Sequence, residues 1–259
     1  MTIDIHEVKT IRDLKRFIKF PLQLYKGHPY YVPAMYSDEI KTLRSDNNPA
    51  FEYCEARYWL AHKGSKVVGR IAGIINHRHI EKWQEPYIRF SWFDFIDDIK
   101  VSEVLLSAVE TWAVEKDLEA IHGPLGFTDL DREAMLVEGF DELSTLATQY
   151  NYPYYPRHMK NLGYKKDADW VEYELKVPHQ LDPRISHAAD VVLKRNHLFW
   201  PKISTKQDLL AYVPQLFELI NKEYSQIYGA IPLSERQIEH YTQAYFGFVH
   251  PDFVPFILD

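Results

Sequence analysis

The sequence predicts an α+β (α/β) fold, because strand-like and helix-like patterns alternate along the chain. Residues 89–96 (RFSWFDFI) are aromatic and alternate between apolar and polar, as a half-buried strand does. Apolar residues then recur at spacings of three and four, which is typical of an amphipathic helix; they are Val101, Val104, Leu105, Ala108, Val109, Trp112 and Ala113. Residues 120–123 (AIHG) begin a second short strand. Strand, polar turn, helix and strand therefore form the middle of the predicted fold.

The segments before this region predict a strand, a helix and a hairpin. Ile3 and Ile5 indicate the first strand, and Thr10 has the side chain of a helix N-cap before an apolar helical stripe. Residues 56–62 and 66–76 are strand-like, and a three-residue glycine-containing turn separates them. We therefore expect these two segments to pair as a hairpin.

The segments after Gly123 predict loops, a short helix and a final strand. Residues 157–164 (RHMKNLGY) indicate a helix that ends at Gly163, and residues 170–177 (WVEYELKV) alternate as a strand does. A proline-flanked linker follows, and the chain beyond it reads mainly as helices, with a last strand-like stretch at residues 252–259. We expect a domain at 1–178 and a partial, helical second domain at 184–259, apparently truncated from a longer protein.

Composition and charge exclude several classes of protein. The formal charge of −7 over 259 residues argues against nucleic-acid binding, which usually requires a basic surface. One cysteine, Cys54, rules out a disulfide framework within the chain and indicates a reducing compartment. No apolar run reaches the roughly 20 residues that span a bilayer. The expectations are a cytoplasmic protein, no membrane partner and an undetermined oligomeric state.

Three motifs resemble those of the GNAT family of acyl-CoA N-acyltransferases. They are VVGRIAG in the second hairpin strand, VLL in the central helix and LGYKK after the short helix, at residues 67–73, 104–106 and 162–166. The resemblance covers roughly residues 3–177, and residues 186–259 resemble the opening of another copy, with strand, helices and strand. It implies a mixed, mostly antiparallel central sheet flanked by helices, and a tandem protein with a truncated second copy.

The same resemblance implies a function and a set of site residues. The co-substrate would be acetyl-CoA or another acyl-CoA, and the acceptor a small amine. The family's phosphate loop falls on the turn before the central helix, which assigns cofactor binding to Phe95, Ile96, Asp98, Lys100, Val101 and Ser102. The catalytic candidates are Asp94, Asp97 and Tyr155.

This sequence departs from the family pattern at the phosphate loop. Residues 97–102 (DDIKVS) contain no glycine and carry two carboxylates, which hinder and repel a diphosphate. The family's general-acid tyrosine falls on Met159. The alternative is therefore a non-catalytic, degenerate GNAT domain that binds a ligand or serves as a scaffold.

Several residues are compatible with two interpretations. Asp94, Asp97 and Asp98 are either a carboxylate cluster that orients an amine or an N-cap with solvated neighbours. Residues 123–131 (GPLGFTDLD) either line a pocket or form a rigid turn with Phe127 packed inward. His77 is two residues from His79 on the predicted strand side, but neither belongs to a known metal motif, so we expect no metal site.

Overall fold

The computed structural model describes residues 2–145, 148–246 and 249–259. The chain divides into two compact units. The first comprises Met1–Asp169 together with Tyr224–Pro232, and the second comprises Trp170–Glu223 together with Leu233–Asp259.

The first unit contains a five-stranded sheet in the order β1-β2-β3-β4-β5. The strands are β1 Asp4–Glu7, β2 Cys54–Lys63, β3 Lys66–Asn76, β4 Tyr87–Phe95 and β5 Ala120–His122. The first three pairings are antiparallel, and β5 runs parallel to β4. The predicted mixed, mostly antiparallel sheet is confirmed, with β4 in its interior between the hairpin and β5.

Helices flank both faces of this sheet. They are α1 Ile11–Leu24, α2 Tyr36–Thr42, α3 His77–Trp83, α4 Ile99–Glu115 and α5 Tyr154–Asn161. The apolar face of α4 packs against one side of the sheet and that of α1 against the other. Gly69 in β3 allows α4 to approach closely, since an added Cβ would lie 2.7 Å from Leu105 Cδ1.

The caps that the sequence predicts are largely observed. Thr10 accepts a hydrogen bond from the Asp13 amide at the start of α1, and Asp98 accepts one from Lys100 at the start of α4. Such side-chain caps satisfy donors that lack helical partners. The local start signals therefore place both helices correctly.

The second unit is helical. Its helices are α6 Pro183–Arg195, α7 Lys206–Leu210, α8 Val213–Glu223 and α9 Glu235–Tyr245. An isolated antiparallel bridge joins Phe199, which precedes α7 in the sequence, to Leu258, which follows α9. The prediction that a strand opens a second copy is wrong, because α6 occupies that stretch. The Asp182 side chain caps this helix, and its first residue is Pro183, which is favoured at that position.

Two further predictions are wrong. Residues 170–177 form no strand, and apolar side chains of the alternating pattern, such as Leu175, are exposed. An alternating pattern gives a segment one apolar face, but a strand also needs a neighbouring strand to pair with. The short helix begins at Tyr154 instead of Arg157. Among the residues that the structure describes, no helix is both long and apolar enough to cross a membrane.

Candidate active site at the end of β4

Strand β4 is bulged two residues before Asp94. Its pairing with β3 shifts register between Arg70 and Ala72, and Trp92 adopts a left-handed backbone conformation with φ of 43°. The Trp92 indole donates a hydrogen bond of 2.8 Å to Glu39, which holds this conformation. A bulge re-aims the following side chains, and strained backbone is concentrated at functional sites.

A buried polar network follows the bulge. Arg70 Nε lies 2.7 Å from Asp94 Oδ2, and both side chains are nearly inaccessible to solvent. Tyr25 at the end of α1 donates to Asp94 Oδ1 at 3.1 Å, and its hydroxyl lies 2.7 Å from that of Tyr155 in α5. The network therefore joins α1, β3, β4 and α5, and Asp94 has the partners that a buried carboxylate requires.

The phenols of this network are poor acids. Burial, followed by the nearby Asp94 and Tyr154, raises the pKa of Tyr155 well above its ordinary value, and burial likewise raises that of Tyr25. Burial raises the pKa of Tyr31, which stacks on Tyr25, to about 12. These hydroxyls therefore remain protonated at neutral pH and act as hydrogen-bond donors.

The main-chain groups at the end of β4 are occupied by α5. The Phe95 amide donates to the Tyr155 hydroxyl at 3.1 Å, and the Tyr154 hydroxyl donates to the Phe95 carbonyl. Phe95 itself is fully buried. Because each group already has a partner within the chain, a ligand that pairs with this strand end has to displace both tyrosines.

The first turn of α4 is occupied in the same way. Ser102 is fully buried, and its hydroxyl lies 2.9 Å from His158 Nδ1; His158 Nε2 in turn lies 2.9 Å from Asp97 Oδ1. Asp98 caps the helix and lies 3.5 Å from Lys63. Side chains of the protein thus fill the positions where helix N-termini commonly hold an anion.

The structure gathers the predicted site residues but gives them different surroundings. The catalytic candidate Asp94 is buried beside Arg70, whereas Asp97 is solvent-exposed, and Tyr155 is fully buried. Among the cofactor-binding candidates, Phe95, Val101 and Ser102 are buried, Ile96 and Asp98 are half-buried and Lys100 is exposed. The N-cap interpretation of Asp98 is observed directly.

Sequence reasoning missed three members of this site. Tyr25 and Arg70 reach Asp94 from 69 and 24 residues away in the chain, and His158 reaches Asp97 from 61 residues away. The spacing of residues within one helix or strand does not reveal partners that lie so far away in the sequence. The identity of Arg70 was the available signal, because an arginine inside an apolar strand requires a buried acceptor.

A basic groove lies between α1 and the β2–β3 turn. Its cavity volume is about 610 Å³. The lining residues are Arg12, Lys15, Arg16, Lys19, Phe20, Gln23, His62, Ser65, Lys66 and Val67. Arg16 pairs with Asp13 at 3.8 Å, which leaves a strong excess of positive charge along the groove. Such a surface attracts small anions.

The GPLGFTDLD loop forms a rigid turn. The Asp131 carboxylate accepts hydrogen bonds from the amides of Phe127 and Thr128 at 2.8 and 3.1 Å, and Phe127 is buried. A Cβ at Gly126 would lie 2.3 Å from the Asp131 Cβ, so only glycine fits there. Burial raises the pKa of Asp131 to about 6.

No family model matches the chain. Protein YghO of Escherichia coli is 27% identical over 226 residues, which cover 87% of this chain and 57% of that protein. A Caulobacter vibrioides protein named bacterial ceramide synthase is 25% identical over 245 residues, which cover 91% of this chain and 61% of that protein. The chain thus spans about three fifths of the length of these curated relatives.

The solved structures similar to this chain include acetyltransferases. AAC(6')-Iy in complex with a CoA bisubstrate analogue is 13% identical with a TM-score of 0.41, covering 68% of this chain and 100% of that one. A predicted acetyltransferase with acetyl-CoA from Clostridium acetobutylicum is 13% identical with a TM-score of 0.39, covering 69% and 100%. A GNAT-family acetyltransferase from Staphylococcus aureus is 18% identical with a TM-score of 0.33, covering 46% and 71%.

The raised pKa of Asp131 predicts a pH-dependent stability. The folded-state value of about 6 lies above the unfolded value of about 3.9, so the folded protein binds the proton more tightly. Stability from this group is present below pH 4 and is lost as the pH rises to about 6, by at most roughly 3 kcal/mol. Asp131→Asn keeps an acceptor for both amides without the charge. The free energy of unfolding of the wild type should therefore fall relative to that of D131N between pH 4 and 6.

Urea unfolding at a series of pH values measures this difference. Asp141→Asn removes a carboxylate at an exposed position and is the matched control. A constant difference between wild type and D131N across this range would contradict the assigned pKa.

Proposed function

We propose that this chain is part of an acyl-CoA-dependent N-acyltransferase that acylates the amine of a small molecule. The observation that supports this most is the layout of the first unit. An interior strand β4 with a bulge leads through a tight turn into α4, beside a parallel β5. This is the order in which the GNAT motifs VVGRIAG, VLL and LGYKK occur in the sequence.

The proposed reaction transfers the acyl group from a thioester to an amine. The amine nitrogen attacks the thioester carbonyl, the carbon–sulfur bond breaks, and the departing thiolate of CoA takes up a proton. Positioning of amine and thioester supplies most of the rate enhancement in such a reaction, with a smaller contribution from proton transfer. The motifs VVGRIAG, VLL and LGYKK, which resemble those of acyl-CoA N-acyltransferases, support acyl-CoA as the donor.

We propose that the acceptors include amines with a long apolar chain. One relative is named a ceramide synthase, and a ceramide is the amide of a fatty acid with a long-chain amino alcohol. Acetyl-CoA remains a candidate donor, and longer acyl-CoA thioesters belong in the same test. The panel of acceptors therefore needs one long-chain amino alcohol and one short, hydrophilic amine.

We also propose that acyl-CoA does not bind at the β4–α4 turn of this unit. Tyr154 and Tyr155 occupy the main-chain groups of Phe95, and the carboxylates of Asp97 and Asp98 stand where the phosphates would lie. A like charge next to a diphosphate disfavours binding. The donor site then belongs to another part of the longer protein that the curated relatives represent.

This proposal is tested by release of free CoA thiol from an acyl-CoA. The longer protein, with the length of the curated relatives, should release CoA with at least one amine of the panel. The 259-residue chain alone should release none above spontaneous hydrolysis. Turnover by the chain alone would contradict the proposal that acyl-CoA does not bind at the β4–α4 turn. Absence of turnover by the longer protein with every amine would contradict the proposed acyltransferase function.

A second candidate function is the binding of an anionic small molecule by this unit without turnover. The basic groove between α1 and the β2–β3 turn favours it, because its lining in the described structure includes Lys15, Lys19 and Lys66 and no carboxylate. In this reading the unit is a ligand-binding or scaffold module. Attraction between exposed charges weakens with salt, since the screening length is about 10 Å at 0.1 M.

Charge reversal in the groove tests this second function. Lys15→Glu with Lys66→Glu should weaken the binding of inorganic pyrophosphate at low ionic strength at least about tenfold, because each substitution replaces attraction with repulsion. Lys41→Glu with Lys160→Glu makes the same change of net charge at exposed positions outside the groove and is the control. Calorimetry that shows no binding, or equal weakening by both double variants, would rule out the groove as a specific site.

A further inference from the structure

We propose that His79, Glu85 and His122 form a binding site for a divalent transition metal, with Zn²⁺ the best match. The site lies in the first unit. His79 projects from α3, Glu85 lies between α3 and β4, and His122 ends β5. One ligand atom from each residue lies within 4.8 Å of the other two.

The distances are close to those that a metal needs. Zn²⁺ bonds of about 2.0–2.2 Å in a tetrahedron place neighbouring ligand atoms roughly 3.4 Å apart. His79 Nε2 already lies 3.3 Å from Glu85 Oε2. The remaining separations are at most 4.8 Å and have to close by roughly 1.4 Å or less for a tetrahedral ion.

Three of the four ring nitrogens of His79 and His122 make no hydrogen bond within the described structure. Both ring nitrogens of His122 are buried without a hydrogen bond, and so is Nε2 of His79. A buried polar atom without a partner destabilises the folded protein. A metal ion supplies the missing partner for one nitrogen of each ring.

The surroundings of His79 place a cation next to the ring. Arg89 Nη2 lies 3.1 Å from His79 Nδ1 and, because a guanidinium only donates, Nδ1 is the acceptor. Coordination through Nε2 therefore moves the ring proton from Nε2 to Nδ1, while Arg89 keeps its hydrogen bonds to the carbonyls of Gly126 and Gly229. The negative charge of Glu85 reduces the cost of placing a dication near Arg89.

The donor set selects the metal and leaves one position open. Two imidazoles and one carboxylate suit Zn²⁺, whereas Ca²⁺ and Mg²⁺ prefer oxygen ligands alone. With three protein ligands, a tetrahedral ion keeps a fourth position for water. Glu85 is one-third exposed, which gives the site access to solvent.

Metal titration of the 259-residue chain tests the site. After treatment with a chelator, Zn²⁺ should bind with a stoichiometry of one per chain in calorimetry, and Co²⁺ in its place should give the visible absorption of a tetrahedral ion. Glu85→Gln and His122→Gln should each weaken Zn²⁺ binding by at least about tenfold, because loss of even an outer-sphere partner costs about 10–100-fold. His77→Gln is the matched control, since His77 lies on the same helix but is exposed and pairs with Glu55.

The outcomes distinguish Zn²⁺ binding at this site from nonspecific Zn²⁺ binding by other histidines. Zn²⁺ binding that E85Q and H122Q weaken and H77Q does not would support the proposal. Absence of binding by the wild type, or equal binding by all variants, would overturn it. If H122Q does not fold, as judged by far-ultraviolet circular dichroism, E85Q alone decides, because it changes a partly exposed side chain.

Discussion

The ion pair between Arg70 and Asp94 fixes the geometry of the whole site. It joins β3 to β4 at the point where β4 is bulged, and Arg70 also donates a hydrogen bond of 3.0 Å to the Phe17 carbonyl of α1. Asp94 accepts from Tyr25, whose hydroxyl contacts Tyr155. Removal of one partner from such a buried pair costs about 3–5 kcal/mol, since the other charge is left without compensation. The ion pair therefore fixes the end of β4 and, through Asp94, the positions of the Tyr25 and Tyr155 hydroxyls.

This arrangement leaves the end of β4 covered by the protein itself. The unit has the interior bulged strand and the following helix, but α5 covers the strand end and carboxylates occupy the turn. Positive charge is concentrated instead in the groove beside α1. These two features support the proposals that acyl-CoA does not bind at the β4–α4 turn and that the groove binds an anion. The metal site at the opposite end of β4 is independent of both, because its residues lie in α3, the α3–β4 connection and β5.

Local patterns predicted the fold because the apolar residues of each strand and helix near β4 recur with the period of that element. The hairpin, β4, α4 and the caps at Thr10 and Asp98 all follow from neighbours within a few residues. Residues 170–177 failed because alternation does not supply a partner strand. The site could not be predicted in the same way, since its contacts join residues far apart in the chain. His79 illustrates the limit: the sequence reading placed it on a strand beside His77, whereas Asn76 caps a helix that buries it near His122.

Hydrogen exchange at the Phe95 amide tests most directly whether α5 closes the end of β4. In the wild type this amide donates to a buried hydroxyl, so it should exchange only through large-scale opening, and excess acetyl-CoA should not change its rate. Tyr155→Phe should speed its exchange, whereas Tyr154→Phe, which alters only the partner of the carbonyl, should leave it nearly unchanged. Rapid exchange in the wild type, or clear slowing by acetyl-CoA, would contradict the closed site.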